Sequence, residues 1–385
     1  MAFALIVSPV RSWPLDQGNR ARVLTMGRML KERGYTVHFL LSGLEGGPNT
    51  EEWRVMRDQW DLVEFVPYEY ERQQRYGDAW GGDDWYDPAL DGAIRRLSRT
   101  WSYDLCLLNY AWYSKAFDSL PPEVVRIIDT HDAFGDRHKR LYEAGTTPVW
   151  YFTRPEDEGR CLDRADYVIS IQEEEQAWFE SLTAKPVRTV GHVTRPDFLA
   201  PRQPGGKLRA GYMASGNPSN QDSIRALLRC WAQSPFLSSQ VELHVAGPIC
   251  KTLANMTQPY LIKHGFVPDP MGFYQSMDIA VNPNIGGSGL KIKSVEALSY
   301  GLPLYATAEG MLGICEAEMP YVARSVTEMA TAMADNLAAH PDLEAARMWS
   351  RNTYLTYRRK QIDAFATLLE DAAGLHAARL PGRTA

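Results

Sequence analysis

Short apolar runs alternate with amphipathic helical stretches along all 385 residues, and this alternation limits the possible folds more than any other feature. A buried apolar run followed by a helix-length amphipathic stretch describes a strand and its crossover. Repetition of that unit builds parallel sheets covered by helices. The first half offers strands at Ala2–Ser8, Thr36–Leu41, Leu62–Pro67, Leu105–Asn109, Val124–Asp129, Tyr167–Ile171 and Val187–Val193. Helices are expected at Arg20–Arg33, Pro88–Thr100, Glu156–Arg164 and Glu173–Leu182. The segment Thr194–Lys207 interrupts the pattern with proline, glycine and charge, the composition of a linker. The pattern then restarts with strands at Leu208–Met213, Val241–Ala246, Ile262–Val267, Ile279–Pro283 and Leu304–Thr307. Helices are expected at Ser219–Gln233, Asp269–Met277, Thr327–Ala339 and Leu343–Ala373.

The reading is therefore α/β, with two Rossmann-like doubly wound domains facing a central cleft. Domain one is expected over 1–194 and domain two over 207–350, with 351–385 a terminal helix able to pack back on the first. A chain of this length exceeds the usual single core. In such sheets ligands sit beyond the carboxyl ends of the strands, so residues at strand ends are the candidates.

Composition narrows the functions. A formal net charge of −6 argues against a general nucleic-acid binder that needs a broad basic face. The five cysteines are scattered without a Cys-x-x-Cys pair, so neither a disulfide framework nor a zinc site is indicated. The reduced cytoplasm fits that usage. The run Phe3–Val7 is too short to span a membrane and reads as a first buried strand.

The most informative stretch follows the strand Ile279–Pro283: Gly286-Gly287-Ser288-Gly289-Leu290-Lys291-Ile292-Lys293-Ser294-Val295-Glu296. Glycines let backbone approach a ligand closely, and free amides at a helix start attract anions. Lys291 and Lys293 add positive charge, and Glu296 follows in the second helical turn. That order suits a nucleoside diphosphate, with amides and lysines for phosphates and a carboxylate for ribose hydroxyls. A second polar turn, Ser215-Gly216-Asn217-Pro218-Ser219-Asn220, ends the first strand of domain two. It serves either as a phosphate or hydroxyl contact or as a helix cap.

In domain one, Gly18, Asn19 and Arg20 open a helix after the first strand, without the Gly-x-Gly-x-x-Gly of a dinucleotide site. Arg20, Arg22, Arg28, Lys31 and Arg33 make that helix basic. A solvated face explains this, and so would contact with an anionic lipid surface or an acceptor phosphate. His131 stands between Asp129 and Asp132 at a strand end, which supplies the parts of a tuned general base or a charge stabiliser. The tract Tyr68–Asp87 is dense in aromatics, acids and glycine and reads as a mobile surface loop; it contains no Asp-x-Asp, so a metal-bound diphosphate is not indicated.

Taken together, these residues resemble a GT-B-type glycosyltransferase of the retaining family 4 kind. In the second half the resemblance rests on Ser215–Ser223, Val245-Ala246-Gly247, His264–Val267, Tyr274–Ile279, Asn282-Pro283, Gly289–Lys293, Glu296-Ala297, Gly301–Pro303 and Ala306-Thr307. In the first half it rests on Gly18–Arg20, Asp129–Asp132, Arg164–Asp166, Ser170 and Glu173–Glu175. The resemblance implies transfer of a sugar from a nucleotide diphosphate donor to a glycan, glycolipid or other hydroxyl acceptor. It implies surface glycan or glycolipid assembly, retention of configuration, and no cofactor or metal beyond the donor. Donor contacts fall on Ser215, Gly216, Asn217, Ser288, Gly289, Leu290, Lys291, Lys293 and Glu296. Acceptor contacts fall on Gly18, Asn19 and Arg20, with His131 and Asp132 catalytic. A peripheral position on the inner membrane face is compatible with this. One position departs from the pattern: family members usually carry a glutamate seven residues before Glu296, where this chain has Ser288. A nucleotide-sugar epimerase and a catalytically silent sugar-binding subunit are the rival readings.

Overall fold

A computed structural model of the chain describes every residue except 1, 16, 144–146, 149, 204, 268–269, 287–288, 317–318, 341–342 and 381–385. The chain divides into two compact units, Met1–His192 with Gln361–Ala385, and Val193–Lys360.

The first unit is built on a parallel sheet of β1 (Ala2–Ser8), β2 (Tyr35–Ser42), β3 (Leu62–Val66), β4 (Leu105–Asn109), β5 (Val125–Asp129), β6 (Tyr167–Ser170) and β7 (Val187–Thr189). Their order is β3-β2-β1-β4-β5-β6-β7, so the winding reverses between β1 and β4. These two strands are nearly unbroken apolar runs because helices cover both faces of the sheet. At the edge, β7 is short. The expected run to Val193 ends at Thr189, after which Gly191 donates its amide to Gln361 Oε1 at 2.7 Å.

Two elements had no periodic signature. The helix Thr50–Gln59 buries only Met56 and is set by a capping box between Asn49 and Glu52. The 3-10 segment Ala111–Ser119 is enclosed, buried at every residue except Lys115 and Asp118, so it shows no one-sided stripe. The tract Tyr68–Asp87 is not a mobile loop along its second part. There Trp85 and Tyr86 are buried, and Trp85 meets Trp80, Trp112 and Trp150 edge-on at 5.3–5.5 Å. Asp84 is consumed by backbone, accepting from the amides of Arg75 at 2.7 Å and Gly81 at 2.6 Å.

The second unit carries β8 (Leu208–Met213), β9 (Val241–Ala246), β10 (Leu261–Gly265), β11 (Ile279–Asn282), β12 (Leu304–Thr307) and β13 (Val322–Ala323), in the order β10-β9-β8-β11-β12-β13. Its winding reverses between β8 and β11. One face of the sheet buries Ile224, Leu227 and Trp231 from the helix Pro218–Gln233 and Met329 and Met333 from the helix Val326–Ala339. The last helix, Glu344–Arg379, begins in this unit, where Thr194 donates its amide to Tyr354 Oη at 2.9 Å. From Gln361 onward it belongs to the first unit. It buries Phe365, Leu368 and Leu369 there, and Arg379 grips Asp166 through two bonds of 2.6 and 2.8 Å. Among the described residues no helix is long and apolar enough to cross a membrane.

Candidate functional site

Reversal of winding opens a crevice above the strand ends, so in the second unit the loops after β8 and β11 are the place for a ligand. The loop after β8 is shaped by backbone and by the first turn of the helix that follows. Gly247 has φ +92°, and a Cβ there would lie 2.4 Å from the Ala214 carbonyl oxygen, so only glycine lets β9 end so close to this loop. Asn217 caps the helix by accepting the Asn220 amide at 2.8 Å. Asn220 Nδ2 reaches back to the Ser215 carbonyl and Oγ, both at 3.1 Å. Among the described residues the amides of Ser215, Gly216 and Asn217 have no hydrogen-bond partner.

The loop after β11 is fastened to the same helix. Ser219 Oγ donates to the Gly286 carbonyl at 2.7 Å, and Ser223 Oγ accepts the Ile285 amide at 3.2 Å. Gly289 takes φ +77°, a conformation costly for other residues, and turns the chain into the helix Ile292–Ser299. The amides of Gly289 and Leu290 are unpaired among the described residues. Lys291 is buried, and its Nζ donates to the Gly289 carbonyl at 2.7 Å. Lys293 points across to the β8 side, donating to Asn220 Oδ1 at 2.5 Å and Tyr212 Oη at 3.4 Å. Burial, then the neighbouring Lys291 charge, lowers the Lys293 amine to about 7. Glu296 is half-buried with no side-chain hydrogen bond among the described residues, and burial raises its carboxyl to about 7. Ser288 lies outside the described residues. The expected donor residues that are described thus gather on two adjoining loops, with ammonium groups, free amides and one poised carboxylate.

In the first unit the corresponding rim joins the start of the helix Gly18–Glu32 to the ends of β4 and β5. Asn19 Nδ2 donates to Tyr110 Oη at 3.0 Å. The Tyr110 ring stacks on the His131 imidazole with centroids 4.3 Å apart and planes 16° from parallel. His131 Nε2 lies 2.7 Å from Asn109 Oδ1 and 3.5 Å from Asp129 Oδ2. Burial lowers the His131 pKa to about 4, so at neutral pH the ring is uncharged. Asp129 does not reverse this, because Arg22 grips it with three bonds of 2.6–2.9 Å. Arg22 is buried, and Arg20 is paired with Glu45 at 3.0 Å, so these two are not part of a solvated basic face.

The loop beyond His131 is held by Glu158, which accepts the amides of Phe134 at 2.7 Å and Gly135 at 2.9 Å and the Trp178 indole at 2.9 Å. Asp132 is engaged locally, with Arg137 and with the Ala133 amide at 3.0 Å. Burial, then the Asp132 charge, raises the nearby Glu175 carboxyl to about 9, which keeps it protonated at neutral pH. Gly18, Asn19, Arg20, His131 and Asp132 therefore share one rim, but Asp132 and Arg20 are already paired. Asn109, Tyr110 and Tyr212 were not singled out from sequence. Asn109 ends β4 and Tyr110 follows it at the reversal point, so the strand-end rule could have found both.

Known proteins share part of this sequence and the fold. Residues 208–339 match the family model described as glycosyl transferases group 1. No curated protein matches the chain in sequence. Among solved structures, sucrose-phosphate synthase from Thermosynechococcus elongatus is 16% identical, with a TM-score of 0.67 over 96% of this chain and 99% of that one. HepE of Anabaena, solved with UDP and glucose, is 14% identical, with a TM-score of 0.65 over 96% of this chain and 100% of that one. The pneumococcal O-GlcNAc transferase GtfA, solved with UDP and GlcNAc, is 10% identical, with a TM-score of 0.66 over 96% and 99%. The chain has the GT-B fold of these glycosyltransferases, and its residues 208–339 carry the sequence pattern of the group 1 glycosyltransferase family.

Proposed function

We propose that the chain transfers a glycosyl group from a nucleoside diphosphate sugar to a hydroxyl acceptor, with retention of anomeric configuration, in surface glycan or glycolipid assembly. The carrying observation is the pair of loops at the β8–β11 reversal. Unpaired amides of Ser215, Gly216, Asn217, Gly289 and Leu290 stand on the two loops that Lys293 ties together through Asn220, with Lys291 beside Gly289 and Glu296 one turn further on. In this reading the amides and lysines neutralise the diphosphate as it leaves, so no further cofactor is needed. Glu296 takes the ribose hydroxyls. The first unit takes the acceptor at Gly18, Asn19 and Arg20, with His131 and Asp132 contributing to the reaction. HepE and GtfA, with UDP and a sugar in their solved structures, support a nucleotide sugar as the donor class.

The test is thermal unfolding with UDP, GDP, ADP and dTDP, because a ligand bound only to the folded state raises its melting temperature. At least one diphosphate should stabilise the protein. The matching sugar donors should then release that nucleotide only when an acceptor is added, at a rate unchanged by EDTA. Absence of stabilisation by all four would overturn the donor assignment, and donor conversion without acceptor would favour an epimerase.

A further inference from the structure

We infer that Asn109 is a positioning residue that fixes the tautomer of His131, placing the ring proton on Nε2 and leaving Nδ1 as a hydrogen-bond acceptor for a ligand hydroxyl. The hydroxyl role rests on the assignment of His131 to the reaction; the tautomer does not.

The argument is one of donors and acceptors. The Val7 carbonyl can only accept, and Asn109 Nδ2 lies 3.2 Å from it, so the amide nitrogen must face β1. Asn109 Oδ1 is thereby turned toward His131 Nε2 at 2.7 Å, and an amide oxygen also can only accept. Asp129 Oδ2, at 3.5 Å from the same nitrogen, is a second acceptor. Nε2 must therefore carry hydrogen. Among the described residues Nδ1 has no partner.

The ring cannot readily turn to exchange its nitrogens. It is stacked on Tyr110, whose hydroxyl is held by Asn19. Both Tyr110 and His131 sit at positive φ, +70° and +63°, the kind of held backbone that accompanies a functional constraint. The ionisable groups around the imidazole are Arg22 from the helix Gly18–Glu32, Asp129 from β5, the adjacent Asp132, Tyr110 from the end of β4, and His192 beyond β7. Arg22 offsets Asp129 and Arg137 pairs with Asp132, so no unpaired carboxylate is left to draw a second proton onto the ring. A neutral ring with a fixed lone pair discriminates in favour of a group that donates, a sugar or polyol hydroxyl, over a phosphate or carboxylate oxygen.

Two measurements on the full chain test this. Long-range nitrogen–proton NMR with labelled histidine reads the tautomer directly, with the His131 signals assigned by their loss in His131→Asn. The expected result from pH 6 to 8 is a single neutral form protonated at Nε2. A form protonated at Nδ1, or a mixture, would overturn the inference. Asn109→Asp substitutes a carboxylate that has no arginine of its own. Its His131 should charge at a pH at least one unit higher than in the wild type, and the acid limb of kcat/KM should move with it. An unshifted titration in a folded Asn109→Asp protein would also overturn it. If His131→Ala leaves kcat and KM unchanged, the role of His131 in the reaction fails while the tautomer stands. If His131→Ala is inactive and the proton lies on Nδ1, the reverse holds.

Discussion

At Glu296 the site and the fold make opposing demands. Burial raises its carboxyl to about 7, whereas an unfolded glutamate ionises near 4.3, so the folded chain prefers the protonated form. As pH rises between those values the unfolded state gives up its proton first, and stability falls until the folded pKa is passed. Glu296→Gln removes that loss. Its melting temperature relative to wild type should therefore climb between pH 5 and 8 without ligand. Diphosphate-induced stabilisation at pH 8 should fall in the same variant, because the carboxylate that would accept ribose hydroxyl bonds is gone. Equal pH dependence of the two melting curves would sink this account. His131 and His192 act in the other direction. Burial keeps both neutral, at about 4 and about 3, so acidification below the ordinary histidine range destabilises the fold through them.

The site depends on elements as much as on side chains, and the loop Gly286–Lys291 shows how. Gly289→Ala places a Cβ at φ +77°, at a cost of about 1–2 kcal/mol. The backbone will relax toward negative φ and carry the Gly289 and Leu290 amides away from their present directions. Diphosphate-induced stabilisation should therefore shrink by more than the loss of stability alone explains, as thermal shifts with and without ligand would show. Much of this scale was legible beforehand. Leu105–Asn109, Leu208–Met213, Val241–Ala246 and Leu304–Thr307 are strands with the expected bounds, because a buried apolar run between polar breaks has few alternatives. The helix Thr50–Gln59 was not legible, since one buried residue makes no periodic stripe. Lys293 was legible as a cation but not as the tie between the two loops. That bond runs 73 residues along the chain to Asn220, and no local pattern reports it. The tract Tyr68–Asp87 misled because its aromatic and acidic composition suits either a loop or a packed cluster, and only tertiary neighbours such as Trp112 and Trp150 decide.

For the whole molecule, the sequence order and the folding units do not coincide. The final segment from Gln361 belongs with the first unit, where Phe365, Leu368 and Leu369 are buried. Each such side chain contributes about 1.5–3 kcal/mol on burial, so the three together rival the roughly 5–15 kcal/mol stability of a typical domain. A chain ending at Lys360 should thus lose the cooperative unfolding of the first unit while keeping diphosphate-dependent protection of the second, seen as hydrogen-exchange protection confined to 193–360. Retained protection in β1 and β4 would contradict this.

The burial of Lys293 beside Lys291 has a further, calorimetric consequence. An amine that its burial brings to about 7 is mostly uncharged at pH 8, and a bound diphosphate would restore its charge. Glu296 is already ionised at that pH and contributes little. Binding should then withdraw a proton from the buffer. The heat measured in Tris and in phosphate should differ by a fraction of one proton times the difference in their ionisation enthalpies, and that difference should vanish in Lys293→Arg.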